Sequence, residues 1–322
     1  MKILNTSNNE LTERMESYAS VSIIGMAKNV GKTTTLNYLV RRFNEKKTCL
    51  ALTSIGRDGE STDVVTKTQK PEIFVKKGTI IATAETLLGL SDITKEILAV
   101  TEYNTPLGRI VIVRALSDGF VQLGGPSITS QMSELLVLFK ELGADKTIVD
   151  GALSRKTLAN PSVTEATILC TGASLDRNFH IVISETQHLV SLLTLPKLDD
   201  QEILAELKSA KDEKVTKHEN YIYVRGAVSD AFINNLIISG TRLKSVYIIA
   251  EDASKIFIKQ DTYKKLMLKK AILVVMNSIH LIGLTVNPIS PYHVDFDATE
   301  LLMALREAVP VAVYDVKEDT YV

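Results

Sequence analysis

Cysteine is scarce in this chain, and charge imbalance and long apolar runs are absent. Each of these removes a class of protein from consideration. Two cysteines, Cys49 and Cys170, are too few for a disulfide scaffold or a four-thiolate zinc site. Both lie in apolar runs, so the reading is of small buried hydrophobes in a reducing compartment. The 37 Lys and Arg residues nearly cancel the 38 Asp and Glu, leaving a formal charge of −1. A general nucleic-acid binder needs excess cations to displace counterions from phosphates, so that class is set aside. No stretch reaches the roughly 18 apolar residues of a membrane span. The longest candidate, 271–286, is broken by Asn277, Ser278, His280 and Gly283. The amino terminus is polar and has no signal-peptide core, so the expectation is a soluble cytoplasmic protein without a membrane partner. There is no internal repeat and no low-complexity tract. The five histidines are scattered and make no metal-ligand spacing.

What the 322 residues do contain is a recurring alternation of short Val/Ile-rich runs with helical patterns. Strands are expected near 21–24, 49–53, 80–83, 109–114, 147–150, 167–171 and 180–184. Helical patterns are expected at 32–43, 91–100 and 133–142. Leu36, Leu39, Val40 and Phe43 share one helix face, and Gly143 stands where a helix ends. Continuous apolar strands alternating with helices indicate an α/β fold, a mainly parallel sheet flanked by helices. Residues 196–220 are highly charged and read as an exposed helix and linker, dividing a domain at 1–195 from a C-terminal α/β region at 221–322. That second region either stands alone or continues the first sheet. It carries strands near 221–224, 246–250, 282–286 and 311–314, with helices near 229–238, 261–270 and 299–307.

The most informative segment is VSIIGMAKNVGKTTTLNYLV, residues 21–40. A buried strand runs into a loop with Gly25 and Gly31, then Lys32 and Thr33, then a helix: the context a phosphate-binding P-loop requires. Gly31 allows close backbone approach, and the amides of Gly31, Lys32, Thr33 and Thr34 converge at a helix N-terminus. Lys32 reaches toward β- and γ-phosphates, and the Thr33 hydroxyl suits Mg²⁺. Lys28, Asn29 and Val30 form the rest of the cradle. Five residues separate Gly25 from Gly31, one more than the standard pattern.

That longer loop resembles those of dethiobiotin synthetases and cobyrinate amidases, members of the SIMIBI class of P-loop proteins. The MinD branch of the class has an early second lysine; Lys28 stands near that place, but four residues before Lys32 instead of five. The strand Lys146-Thr-Ile-Val-Asp150-Gly resembles a Walker B strand, which implies that Asp150 holds Mg²⁺ directly or through water. The alternative is a strand-end aspartate in a turn with Gly151. The class also implies a catalytic acid after the second strand, where Asp58 leads Glu60 and Asp63, unless that segment is a plain surface turn. Arg57 and Arg155 are further phosphate-contact candidates. Asn287-Pro288 resembles the adenine-reading Asn of dethiobiotin synthetase-like proteins. No NKxD guanine motif occurs, which favours ATP over GTP. His293, Asp295 and Asp297 either form a ligand set or a loop in which Asp297 or Thr299 caps a helix.

A narrower similarity covers most of the chain, through GMAKNVGKTTTLNYL, TSIGRDGE, ATAETLL, NTPLGRIVIVRALSDGFVQLGGPS, DKTIVDGALSRK, ILCTGAS and VNPISPYHVDFD. Together they are similar to the P-loop subunit of the reactivase for lysine 5,6-aminomutase and ornithine aminomutase. The resemblance implies ATP and Mg²⁺ as cofactors, and a MutS-like ATPase subunit or the adenosylcobalamin enzyme as protein partner. It implies Lys32, Asp58 and Asp150 as catalytic residues. A homodimer is compatible with it. The rival readings are a dethiobiotin synthetase-like ligase acting on a small carboxylate, and a nucleotide-binding interaction subunit that does not hydrolyse.

Overall fold

The computed structural model describes residues 8–55, 73–151, 163–209 and 215–316. In chain order, α1 (Asn8–Glu16) precedes β1 (Ser20–Gly25), α2 (Lys32–Glu45) and β2 (Leu50–Ser54). After these come β3 (Ile73–Val75), β4 (Ile80–Ala84), the single turn α3 (Glu85–Leu88), β5 (Lys95–Thr105), β6 (Gly108–Ala115) and β7 (Gly119–Val121). Then follow α4 (Thr129–Glu141), β8 (Lys146–Asp150), β9 (Ala166–Gly172) and α5 (Phe179–Leu193). The next stretch holds α6 (Gln201–Ser209), β10 (Val215–His218), β11 (Tyr221–Val224), β12 (Val228–Ser229), α7 (Asp230–Ile238) and β13 (Tyr247–Ala250). Last are β14 (Ile256–Phe257), α8 (Gln260–Leu268), β15 (Ile272–Val275), β16 (Leu281–Asn287), α9 (Ala298–Ala308) and β17 (Val313–Tyr314).

Nine strands form the main sheet in the order β17-β16-β9-β1-β8-β2-β4-β6-β5. From β17 to β4 every pairing is parallel; β6 and β5 are antiparallel at one edge. Strands β2, β4 and β9 are buried at every residue, as parallel strands covered on both faces must be. Alternation along β1 feeds two cores. Val21 and Ile23 pack with Leu36, Leu39 and Phe43 of α2, while Ile24 joins Phe139 of α4 and Val182 of α5. Each such buried side chain contributes about 1.5–3 kcal/mol.

A second sheet, β10-β11-β13-β15, lies between α5 and β16 in the chain. It divides the region from 221 onward: β11, β13 and β15 belong to this sheet, whereas β16 and β17 return to the main one. Its faces again alternate, Ile248 toward the core that holds Ile233 and Leu266, Ile249 toward Leu204 and Leu207 of α6.

Three sequence expectations are corrected. Residues 95–105 are strand β5, not part of a helix over 91–100, because they pair with β6 in a hairpin whose turn carries Thr105 Oγ1 donating to Gly108 O. Residues 180–184 are helix, not strand: Asn178 Oδ1 accepts from the amides of His180 and Ile181, and burial recurs at Val182, Thr186, Leu189, Val190 and Leu193. The β-branched run Ile-Val-Ile reads as strand locally and is overridden by that cap and periodicity. Within the charged segment the expected helix forms as α6, but it is not wholly exposed, since Leu204 and Leu207 are buried against Tyr223, Ile249 and Val274. Among the described residues, no helix is long and apolar enough to cross a membrane.

Candidate functional site

The connections of β1 and β9 leave the sheet in opposite directions, one through α2 to β2, the other eventually to β16 on the far side. Adjacent strands that part in this way open a crevice at their C-terminal ends, the usual ligand position in an open α/β sheet. Residues 26–31 fill the rim of that crevice.

The loop is held in one shape by its neighbours. Asn29 and Gly31 both take left-handed backbone, at φ 59° and 90°. A side chain on Gly31 would be strained by that φ and would press on Asn287 Cβ at 3.0 Å. Gly25 is required for a different reason. A Cβ there would lie 2.8 Å from Lys32 Cγ and Cδ, because the lysine stem folds back across the strand end. The Asn29 carbonyl accepts from Asn287 Nδ2 at 3.0 Å and from Ser174 Oγ at 3.2 Å, and Asn29 Nδ2 donates to Tyr292 OH at 2.9 Å. Below the loop, Thr35 Oγ1 donates to Gly31 O, and a buried hydroxyl–thiol cluster links Thr35, Thr285 and Cys170. Val30 is buried and Lys28 and Asn29 are exposed, while Lys32, Thr33 and Thr34 are half-buried at the helix start.

Gly31 caps α2 without a side chain, and the first turn of the helix contains no acid. No side chain of the first turn therefore neutralises the positive end of the helix dipole, and Lys32 adds to it. The arrangement suits an anion, with the glycine backbone as cradle.

Asp150 ends the neighbouring strand β8, in register with Ile23 on one side and Ser54 on the other. Ile55 N donates to the Asp150 carbonyl and Gly151 N to that of Ile23, so the ends of β1, β8 and β2 are stitched together. Lys32 and Asp150 are close enough to Cys170 for their charges to act on it. Burial pushes this thiol up, the Lys32 charge opposes that, and the Asp150 charge reinforces it. The Gly124–Gly125 segment closes this side, with Gly125 N donating to Ser54 Oγ at 3.3 Å.

Lys32, Thr33 and Thr34 open α2 just past the end of β1, and Asp150 ends the adjacent strand β8. Asp58, Glu60, Asp63, Arg57 and Arg155 lie outside the described residues. Asn287 is committed to shaping the loop: its Nδ2 serves Asn29 and its Oδ1 accepts from Ile289 N at 3.2 Å. Asp297 caps α9 by accepting from Glu300 N, and Asp295 accepts from Ser290 N. Among the described residues no group of three His, Cys, Asp or Glu could hold a metal. Cys170 is buried as expected, but Cys49 is only half-buried. The reading along the chain missed Ser174 and Tyr292, which bond to Asn29, and Ser290, whose Oγ accepts from Ser174 Oγ at 3.3 Å; their signal was their place just past strands β9 and β16.

No protein-family model matches the chain, and no curated protein or solved structure is significantly similar to it.

Proposed function

We propose that the chain is a P-loop NTPase of the SIMIBI class that binds Mg·ATP between the Gly25–Thr34 loop and Asp150. The observation carrying this reading is the rigid glycine loop on an uncapped, acid-free helix start, one strand away from a strand-end aspartate. In it, Gly31, Lys32, Thr33 and Thr34 amides bind the phosphates and the Lys32 ammonium compensates their charge. Thr33 and Asp150 would hold Mg²⁺, which lowers the charge barrier at the phosphorus when bound. Asp58 is assigned the water-orienting role.

The partner-level reading is ATP-driven remodelling of an adenosylcobalamin-dependent aminomutase. Its support is the resemblance of the motifs together with a physical connection out of the loop. Thr186 Oγ1 of α5 donates to Met26 Sδ at 3.4 Å, and two residues on, His188 Nε2 is 2.9 Å from the carbonyl of Ile258 in the second-sheet segment. A change in loop shape therefore bears on the helix that carries the second sheet. Nucleotide state would shift the partner by its differential affinity for two arrangements. ATP turnover by the purified chain, alone and with an aminomutase, tests this. Stimulation by the partner supports remodelling. Turnover only with a small carboxylate would favour the ligase reading, and binding without turnover the interaction subunit.

A further inference from the structure

At the opposite end of the sheet from the phosphate loop, the chain ends of β2, β4 and β6 surround a cavity of about 990 Å³. It is walled by the last turn of α2, by Phe74 and by the 76–79 turn, with Cys49 just before β2 and Arg114 from β6. Helix α2 has 14 residues, so its two ends are about 21 Å apart and the cavity is not part of the phosphate site.

The lining is unusually basic for a chain of net charge −1. Arg41, Lys47, Lys76, Lys77 and Arg114 face one acid, Glu45. Lys76 pairs with Asp118 at 2.9 Å and Arg41 with Glu45 at 3.5 Å. Arg114 anchors one end of its guanidinium on Leu142 O at 3.3 Å. Its buried Nε has no hydrogen-bond partner among the described residues. A buried donor on a charged group left in that state is costly, and the same residue lines the cavity. The nearby C-terminus of α2 would repel an anion if its carbonyls were open. Two of them are not: Phe43 O and Asn44 O accept from the amides of Lys46, Lys47 and Thr48. Val40, Phe74 and the Cys49 thiol supply apolar wall between the cations.

We propose that this cavity is a second binding site, for a small organic anion carrying carboxylate, phosphate or sulfonate together with an apolar ring or chain. Its size is that of an ordinary small-molecule pocket. Arg114 pairs with the anionic head and Phe74 packs on the apolar part.

Cys49 reports on occupancy, because the other cysteine is fully buried. The experiment compares the native full chain's reaction with a dianionic aromatic disulfide, DTNB, and with neutral iodoacetamide. The probe ligand is the aryl sulfonate ANS. The expected result is that ANS protects Cys49, and that DTNB outpaces iodoacetamide by more than with a small free thiol. The surface double variant Lys47→Gln/Lys77→Gln should cut the DTNB rate about tenfold and leave iodoacetamide unchanged, as loss of an attracting field predicts. Arg114→Gln should abolish ANS protection. Unchanged DTNB selectivity in the double variant, or no protection by ANS in the native chain, would overturn the site. Loss of protection in Lys32→Ala would also overturn it, by placing the anion at the phosphate loop.

Discussion

Asn287 offers the sharpest single test of how the loop is shaped. Replacing it with Ala keeps the Cβ that packs against Gly31 but removes two hydrogen bonds, to Asn29 O and from Ile289 N. At about 0.5–1.5 kcal/mol each, stability should fall by about 1–3 kcal/mol. Only the Asn29 bond bears on the cradle. Its loss leaves Ser174 Oγ as the remaining side-chain donor to that carbonyl, with Asn29 still required in left-handed backbone. About 1 kcal/mol of lost preorganisation corresponds to a roughly fivefold weaker nucleotide complex. Asn287→Asp has the same shape, cannot donate to Asn29 O, and adds a negative charge beside the cradle. Charge repulsion of about 1–4 kcal/mol at close range should weaken binding at least about fivefold beyond the Ala variant, and more so at low salt. Titration with a fluorescent ATP analogue measures affinity, and urea unfolding measures stability. Equal nucleotide affinity in wild type, Ala and Asp variants would refute the claim that Asn287 shapes an anion cradle.

Other expectations follow from the same geometry. Gly31→Ala places a side chain at φ 90°, costing about 1–2 kcal/mol before its contact with Asn287 is counted, and should lower both the unfolding midpoint and nucleotide affinity. Phe43→Ala empties a fully packed position between α2 and the sheet and should cost about 3–5 kcal/mol by denaturant unfolding. Burial pushes the Tyr314 phenol up to about 12, with the Arg14 charge opposing. The folded value exceeds the ordinary 10, so this contribution is intact below pH 10 and lost as pH rises through about 12. Tyrosinate absorbance should show late-titrating groups near pH 12, with Tyr103 beside Glu134 among them, and one fewer of them in Tyr314→Phe.

The parts of the site carried by one continuous segment were legible in the sequence. Gly25, Gly31, Lys32 and Thr33 occupy a strand–loop–helix unit, and that order was readable from their spacing alone. Asp150 was legible because an apolar strand ending in an acid and glycine is itself a local pattern. The supports of the loop were not, because Ser174, Asn287 and Tyr292 reach Asn29 from strand ends far along the chain. Their proximity exists only once β9 and β16 pair. Local pattern also misled at 180–184, where three β-branched residues suggested a strand, and the Asn178 cap with a longer period decided for helix. Strands near 221–224 and 246–250 were legible, but the charge around Leu204 and Leu207 led their helix to be read as exposed, whereas both leucines are buried against the second sheet.

The central claim is that the loop before α2 binds the phosphates of a nucleotide through Lys32 and the first amides of that helix. Calorimetric titration of Mg·ATP into the wild-type chain and into Lys32→Ala tests it most directly. The account predicts saturable binding to wild type and at least about tenfold weaker binding to the variant, whose fold and unfolding midpoint stay close to native. Equal affinity in the two proteins, or no binding to wild type, would contradict it.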